Sequence, residues 1–236
     1  MIVVVIPFHD ADRLAAIELV ELIAAIEPAR REDVRVRLVN RYDADNLPLA
    51  TIQSIGKKFD VSWGITKSKE TGWPAGPNAM TIEIIEGAPK WLEAAGWPGA
   101  NGVLIMEPDC VPLRRDWLDV LIREWDIHRP AGAWQMGAWS NSGGVWGHIN
   151  GNSLIRPDLG KKVDLRTWCP KDLAWDVGIA PFVRKNWARI PYIINHYKAT
   201  GAKEEDLRLS DGQLAAFVHG YKDGSARALA RKLMNL

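Results

Sequence analysis

Two short stretches of the chain, IVVVI at residues 2–6 and VLIM at residues 103–106, are apolar at every position. A strand with one wet face would alternate polar and apolar residues. Unbroken runs of this kind, too short to span a bilayer, read as strands buried on both faces, in a sheet with helices packed on each side. The sequence between them supplies such elements. Leu19, Leu22, Ile23 and Ile26 repeat with helical spacing, with Asp10 or Asp12 available as a cap and Pro28 to close the segment. DVRVRLVN at 33–40 alternates as a second strand, and FDVSWGIT at 59–66 reads as a third. A helix is expected from Ala79 to Glu86, with further helical turns in PKWLEAAGW, and another from Asp116 to Trp125. Strands alternating with helices predict an α/β fold with a mostly parallel sheet. Ligands of such sheets bind at the carboxyl ends of the strands.

The second apolar run ends in Glu107-Pro108-Asp109. Pro108 has no N–H to give to a ladder and holds Glu107 extended, so pairing should stop there. Glu107 and Asp109, two apart in extended chain, point to the same side. Two like charges side by side call for a cation between them. The other reading is that Asp109 caps a turn and Glu107 is solvated.

Composition narrows the classes. A formal net charge of +1 gives no global field for nucleic acid or an anionic membrane. Two cysteines, Cys110 and Cys169, form neither a disulfide framework nor a zinc pattern, and read as reduced thiols. The N-terminus lacks the basic leader and cleavage site of a secretory signal, and no segment is a membrane span, so a cytoplasmic protein is expected. The 12 tryptophans offer flat apolar faces suited to cores and to sugar rings or bases.

Four segments together resemble the GT-A fold of nucleotide-sugar glycosyltransferases. VVVIPFH is similar to that fold's opening strand, and EPDC stands where the family carries its Asp-x-Asp metal motif. TGWPAGPNAM resembles the Gly/Asn loop and helix start that precede it, and HGYKDG the C-terminal His-Gly-Lys cluster of some members. Two departures stand out: the first acid is Glu107 rather than Asp, and the His-to-Lys spacing is tighter. The resemblance implies one GT-A-like domain over 1–236, with a donor nucleotide-binding half to about residue 128 and an acceptor-side half from about residue 129. It implies donor contacts from Pro7, Phe8, His9, Asp43, Gly76, Asn78, Glu107 and Lys222. Mn2+ or Mg2+ would be held by Asp109 and His219, with Glu107 as a direct or water-mediated ligand. A bound cation would neutralise charge on the departing nucleoside diphosphate, and Lys222 would act on the same phosphates. A histidine ligand favours manganese.

In GHINGNS, the polar groups of His148, Asn150 and Asn152 beside Trp146 suit a hydroxyl-rich acceptor, while Asn-Gly is also a strong hairpin signal. A base for an inverting transfer is sought among isolated acids: Asp176 first and Asp211 second, although either would serve as a helix cap. The acceptor is a saccharide, another hydroxyl, or a hydroxymethylated base in DNA, for which RPDLGKK and ARALARKL would supply local phosphate contacts. The competing classes are a sugar nucleotidyltransferase, whose glycine-rich signature PFHDADR lacks, and a non-catalytic carbohydrate-binding protein. The sequence leaves the oligomeric state open.

Overall fold

The computed structural model describes residues 1–141 and 147–236. Strand β1, Ile2–Phe8, leads through a 3-10 turn at Asp10–Asp12 into helix α1, Arg13–Ile26. Then follow β2 (Val34–Arg41), α2 (Leu49–Gly56), β3 (Asp60–Thr66), α3 (Ala75–Ala94) and β4 (Gly102–Ile105). The first four strands pair in parallel in the order β3-β2-β1-β4. Each face of this sheet carries its own core. Val3 and Val5 of β1, with Val103 and Ile105 of β4, pack on one side, while Ile2, Val4, Ile6 and Leu104 pack on the other. This two-sided burial is what the unbroken apolar runs predict.

After β4 the chain crosses to a second sheet through β5 (Val111–Pro112) and enters α4 (Trp117–His128). β6 (Gln135–Ser140) and β7 (His148–Ile155) return to the main sheet, followed by the short helices α5 (Leu159–Lys162) and α6 (Leu165–Trp168). α7 (Trp175–Val183) and β8 (Trp187–Arg189) complete a seven-stranded sheet of order β3-β2-β1-β4-β7-β6-β8. β7 runs antiparallel to both β4 and β6, so the sheet is mixed on this side. β9 (Ile193–Ala199), a 3-10 turn at Glu204–Leu207, β10 (Phe217–Tyr221) and α8 (Ser225–Leu233) close the chain. β5, β10 and β9 form the second sheet.

Several elements differ from the sequence expectation. The segment around 79–94 is one helix, α3, starting at Ala75 and continuing through Pro89. Gly76 and Pro77 therefore lie in its first turn, where backbone N–H groups lack intrahelical partners and a proline removes nothing. The Asn150-Gly151 pair is not a hairpin turn: it lies inside β7. A Cβ on Gly151 would stand 3.0 Å from the Trp175 ring, so close packing accounts for this glycine. The 3-10 turn after β1 is boxed by His9 and Asp12, while α1 begins without a side-chain cap. Among the described residues, no helix is long and apolar enough to cross a membrane.

Candidate metal and donor site

β4 ends at Ile105, and the Met106 N–H still bonds to the Val5 carbonyl at 2.9 Å. The chain then leaves the sheet, and a turn closed by the Cys110 N–H on the Glu107 carbonyl at 3.0 Å carries the two acids. Across from them stands β10, whose parallel pairing with β9 is regular up to His219 and shifts before Tyr221. Gly220, at φ 110°, takes the left-handed conformation at that irregularity. His219 thus faces the acid turn: its Nε2 is 2.9 Å from Glu107 Oε2 and 3.2 Å from Asp109 Oδ1. One atom from each of Glu107, Asp109 and His219 falls within a mutual spacing of 4.8 Å, a geometry able to hold a metal ion.

The electrostatics are those of a cation site. Burial pushes the His219 pKa down, but bonding to Asp109 and Glu107 outweighs it and raises the value to about 10. Burial pushes Glu107 and Asp109 up, yet His219 holds both below the usual carboxylate range, with Lys222 assisting at Asp109. The protonated imidazole supplies the positive charge that the two carboxylates face. Asp109 Oδ2 is buried and accepts no hydrogen bond, and Lys222 Nζ lies 3.9 Å away. A buried carboxylate oxygen without a donor, among two further ligand groups, fits a hard or borderline cation.

Other side chains fix this arrangement. The β4–β7 register sets Leu104 against Leu154, and continuing it brings Asn152 beside the start of the acid turn. Asn152 Oδ1 accepts from the Glu107 N–H at 2.7 Å and from the Cys110 thiol at 3.1 Å. Its Nδ2 donates to Glu107 Oε2 at 3.0 Å and to Asn150 Oδ1 at 3.2 Å. From α8, Arg227 donates to the Pro108 carbonyl at 2.9 Å and pairs with Glu18 of α1. Asn152, an expected acceptor contact, and Arg227, in the segment ARALARKL expected to offer phosphate contacts, both bond to the acid turn.

Of the predicted donor residues, Pro7 and Phe8 are buried at the end of β1, where Phe8 packs edge-on against Trp63. His9 accepts from the Ala11 N–H, and its own N–H donates to Asp12. The Asp12 carboxyl is raised by burial, opposed by His9, with the charge of Glu107 adding a little to the rise. Asp43 is forked by Arg41 at 2.6 and 2.8 Å, which lowers its pKa. Asn78 Nδ2 donates to the Leu173 carbonyl at 2.6 Å, and its Oδ1 accepts the Trp175 N–H at 2.8 Å, so it ties α3 to the start of α7.

Asp176 lies in the first turn of α7 and is buried. Its Oδ2 accepts the Gly151 N–H at 2.7 Å and lies 3.5 Å from His148 Nε2. Asp211 is exposed and accepts the Gln213 N–H at 3.0 Å within its own turn. Trp146 lies outside the described residues.

The seven-stranded mixed sheet flanked by helices, with antiparallel β7 beside β4, has the architecture of the GT-A fold. Solved structures carry the same architecture. The galactosyltransferase LgtC, solved with donor and acceptor sugar analogs, matches 99% of this chain and 95% of its own at TM-score 0.59 and 10% identity. Mouse xyloside xylosyltransferase 1 matches at TM-score 0.59 and 11% identity, over 94% of this chain and 99% of its own. S. aureus TarS 1-349 matches 99% of this chain at TM-score 0.54 and 11% identity; the chain spans 64% of that protein. At these identities the likeness is one of fold. No protein-family model and no curated protein sequence matches the chain.

Proposed function

We propose that the chain is a metal-dependent glycosyltransferase that moves a sugar from a nucleoside-diphosphate sugar to a hydroxyl acceptor. The observation that carries this reading is the cluster of Glu107, Asp109 and His219, with Lys222 beside it, at the strand end where a GT-A fold presents its donor. TarS has been solved with UDP-GlcNAc and with UDP, which supports a nucleotide-sugar donor. Asp109 and His219 would hold Mn2+ or Mg2+ directly, with Glu107 as third ligand. The bound ion would supply charge neutralisation for the departing diphosphate. Lys222, itself strongly exposed beside the mostly buried Asp109, extends that positive charge outward. His9 and Asp43, just past the ends of β1 and β2, would flank the nucleoside, with the buried Pro7 and Phe8 backing that strand end. Gly76 and Asn78 act at the start of α3.

On the acceptor side, Asp176 of α7 is the favoured base, and His148, Asn150 and Asn152 lie on the adjoining strand β7, with Asn152 also bracing the acid turn. Two hydrogen bonds hold Asp176 in place, at 2.7 and 3.0 Å, and His148 stands beside it, as a positioned proton acceptor requires. Asp211 stays a second candidate. DNA as acceptor gains less support: Arg156 and Lys162 pair with Asp158, and Arg227 is buried against Glu18. A thermal-shift panel of nucleoside-diphosphate sugars with Mn2+, Mg2+ or EDTA tests the reading. A donor that raises the melting temperature only with metal is expected, followed by metal-dependent release of its nucleoside diphosphate. No stabilisation by any nucleotide sugar, with or without metal, would overturn it.

A further inference from the structure

We propose that Asn195 is a positioning residue that makes His219 a cation ligand, by fixing both the rotation and the tautomer of its ring. The inference rests on the metal-dependent reading above. Asn195 of β9 is the direct register partner of His219 of β10 in a parallel pair, so the two side chains leave the sheet on the same face. Asn195 Oδ1 lies 2.9 Å from His219 Nδ1, on the far side of the ring from Glu107 and Asp109.

Two consequences follow from elementary imidazole chemistry. A half-turn about the ring's own bond exchanges Nε2 with a carbon, which would turn a C–H towards the acids, and this torsion is soft. The bond to Asn195 exists in one of the two orientations only. The carbonyl oxygen also requires a proton on Nδ1. When a cation displaces the proton on Nε2, the remaining neutral ring is the Nδ1–H form, with its lone pair directed at the ion. The opposite tautomer would set lone pair against lone pair with the Asn195 amide as it stands, and would require that amide to turn over. Outer partners of this kind orient metal-bound histidines and tune their basicity. His219 needs one in particular, because the regular pairing of β10 ends at this residue.

The test uses the full chain and Mn2+ alone, with the free ion counted by electron paramagnetic resonance. Asn195→Leu removes the acceptor at similar volume, and Asn195→Asp offers oxygen in either rotamer. The Leu variant should bind Mn2+ about 10- to 100-fold more weakly. The Asp variant should bind at least as tightly as wild type, and melting in EDTA should establish that each is folded. Wild-type binding with an unchanged Leu variant overturns the role of Asn195 and leaves the metal site standing. If the Leu variant does not fold, a ten-fold loss in a folded Asp variant overturns the role equally. Absence of saturable Mn2+ binding in wild type overturns both.

Discussion

Asn152→Ala removes the side chain that holds the acid turn at its first residue. The Glu107 N–H, bonded at 2.7 Å, loses its acceptor, and the carboxylate loses a donor at 3.0 Å. A buried donor left without a partner costs about 1–3 kcal/mol, and a hydrogen bond to a charged group contributes about 1.5–3 kcal/mol. The two losses share one relaxing turn and do not add fully, so roughly 2–4 kcal/mol is expected. Unfolding entropy of about 2.1 cal/mol/K per residue gives about 0.5 kcal/mol/K for a chain of this length, hence a melting drop of about 4–8 °C. Calorimetry in EDTA measures that drop, and a Mn2+ titration should show weakened binding in the same variant. Asn152→Asp separates the contributions. It keeps an acceptor for the Glu107 N–H but sets a like charge against the carboxylate, so its melting temperature should recover towards wild type below about pH 5. An Ala variant that melts within about 1 °C of wild type would refute the assignment of Asn152 as the brace of this turn.

Buried Glu27 gives a pH signature away from the site: desolvation, opposed by Arg31 and reinforced by Asp119, raises its pKa from 4.5 to about 7. A carboxyl with a raised folded-state pKa loses stability as pH rises between those two values and keeps the full penalty above the upper one. Glu27→Gln should therefore flatten the fall in melting temperature over that window and gain roughly 2 kcal/mol above it, after allowance for screening; an unchanged pH profile would exclude this. Asp176→Asn should lower transfer by roughly two to four orders of magnitude with donor binding nearly unchanged, and near-normal transfer would redirect the search to Asp211 or to a retaining reaction. Lys222→Ala should weaken binding of a nucleoside diphosphate more than of the monophosphate, as titration of the two ligands would show; equal losses would point to a structural role.

The sequence announced the sheet where burial alone dictates residue type. β1 and β4 admit no polar residue on either face, so their apolar runs were legible. Where one residue serves two purposes the signal misled. The helix expected over Ala79–Glu86 and the further turns in PKWLEAAGW are one continuous helix, α3, which runs through Pro89. Asn150-Gly151 has hairpin composition, but its glycine makes room for Trp175 and its asparagine bonds within β7. Glu107, Asp109 and His219 stood out because their types and strand context point to a cation. Asn195 and Arg227 did not, since their partners lie 24 and 119 residues away: Asn195 belongs to a segment without a distinctive pattern, and the basic run around Arg227 points to phosphates rather than to the Pro108 carbonyl. Hydrogen bonds over such separations are created by the fold and leave no local trace in the chain.

Two consecutive residues of β7 reach in different directions. The Gly151 N–H meets Asp176, and the Asn152 amide grips Glu107. Adjacent Cα atoms across a trans peptide are about 3.8 Å apart, a distance that thermal motion does not change. The proposed base and the acid turn are therefore gauged from a single covalent ruler rather than from the packing of separate lobes. Inserting or deleting one residue between Asn150 and Asn152 would decalibrate it: the residues on one side of the change would flip to the opposite face of the sheet, parting the two acids from their common reference.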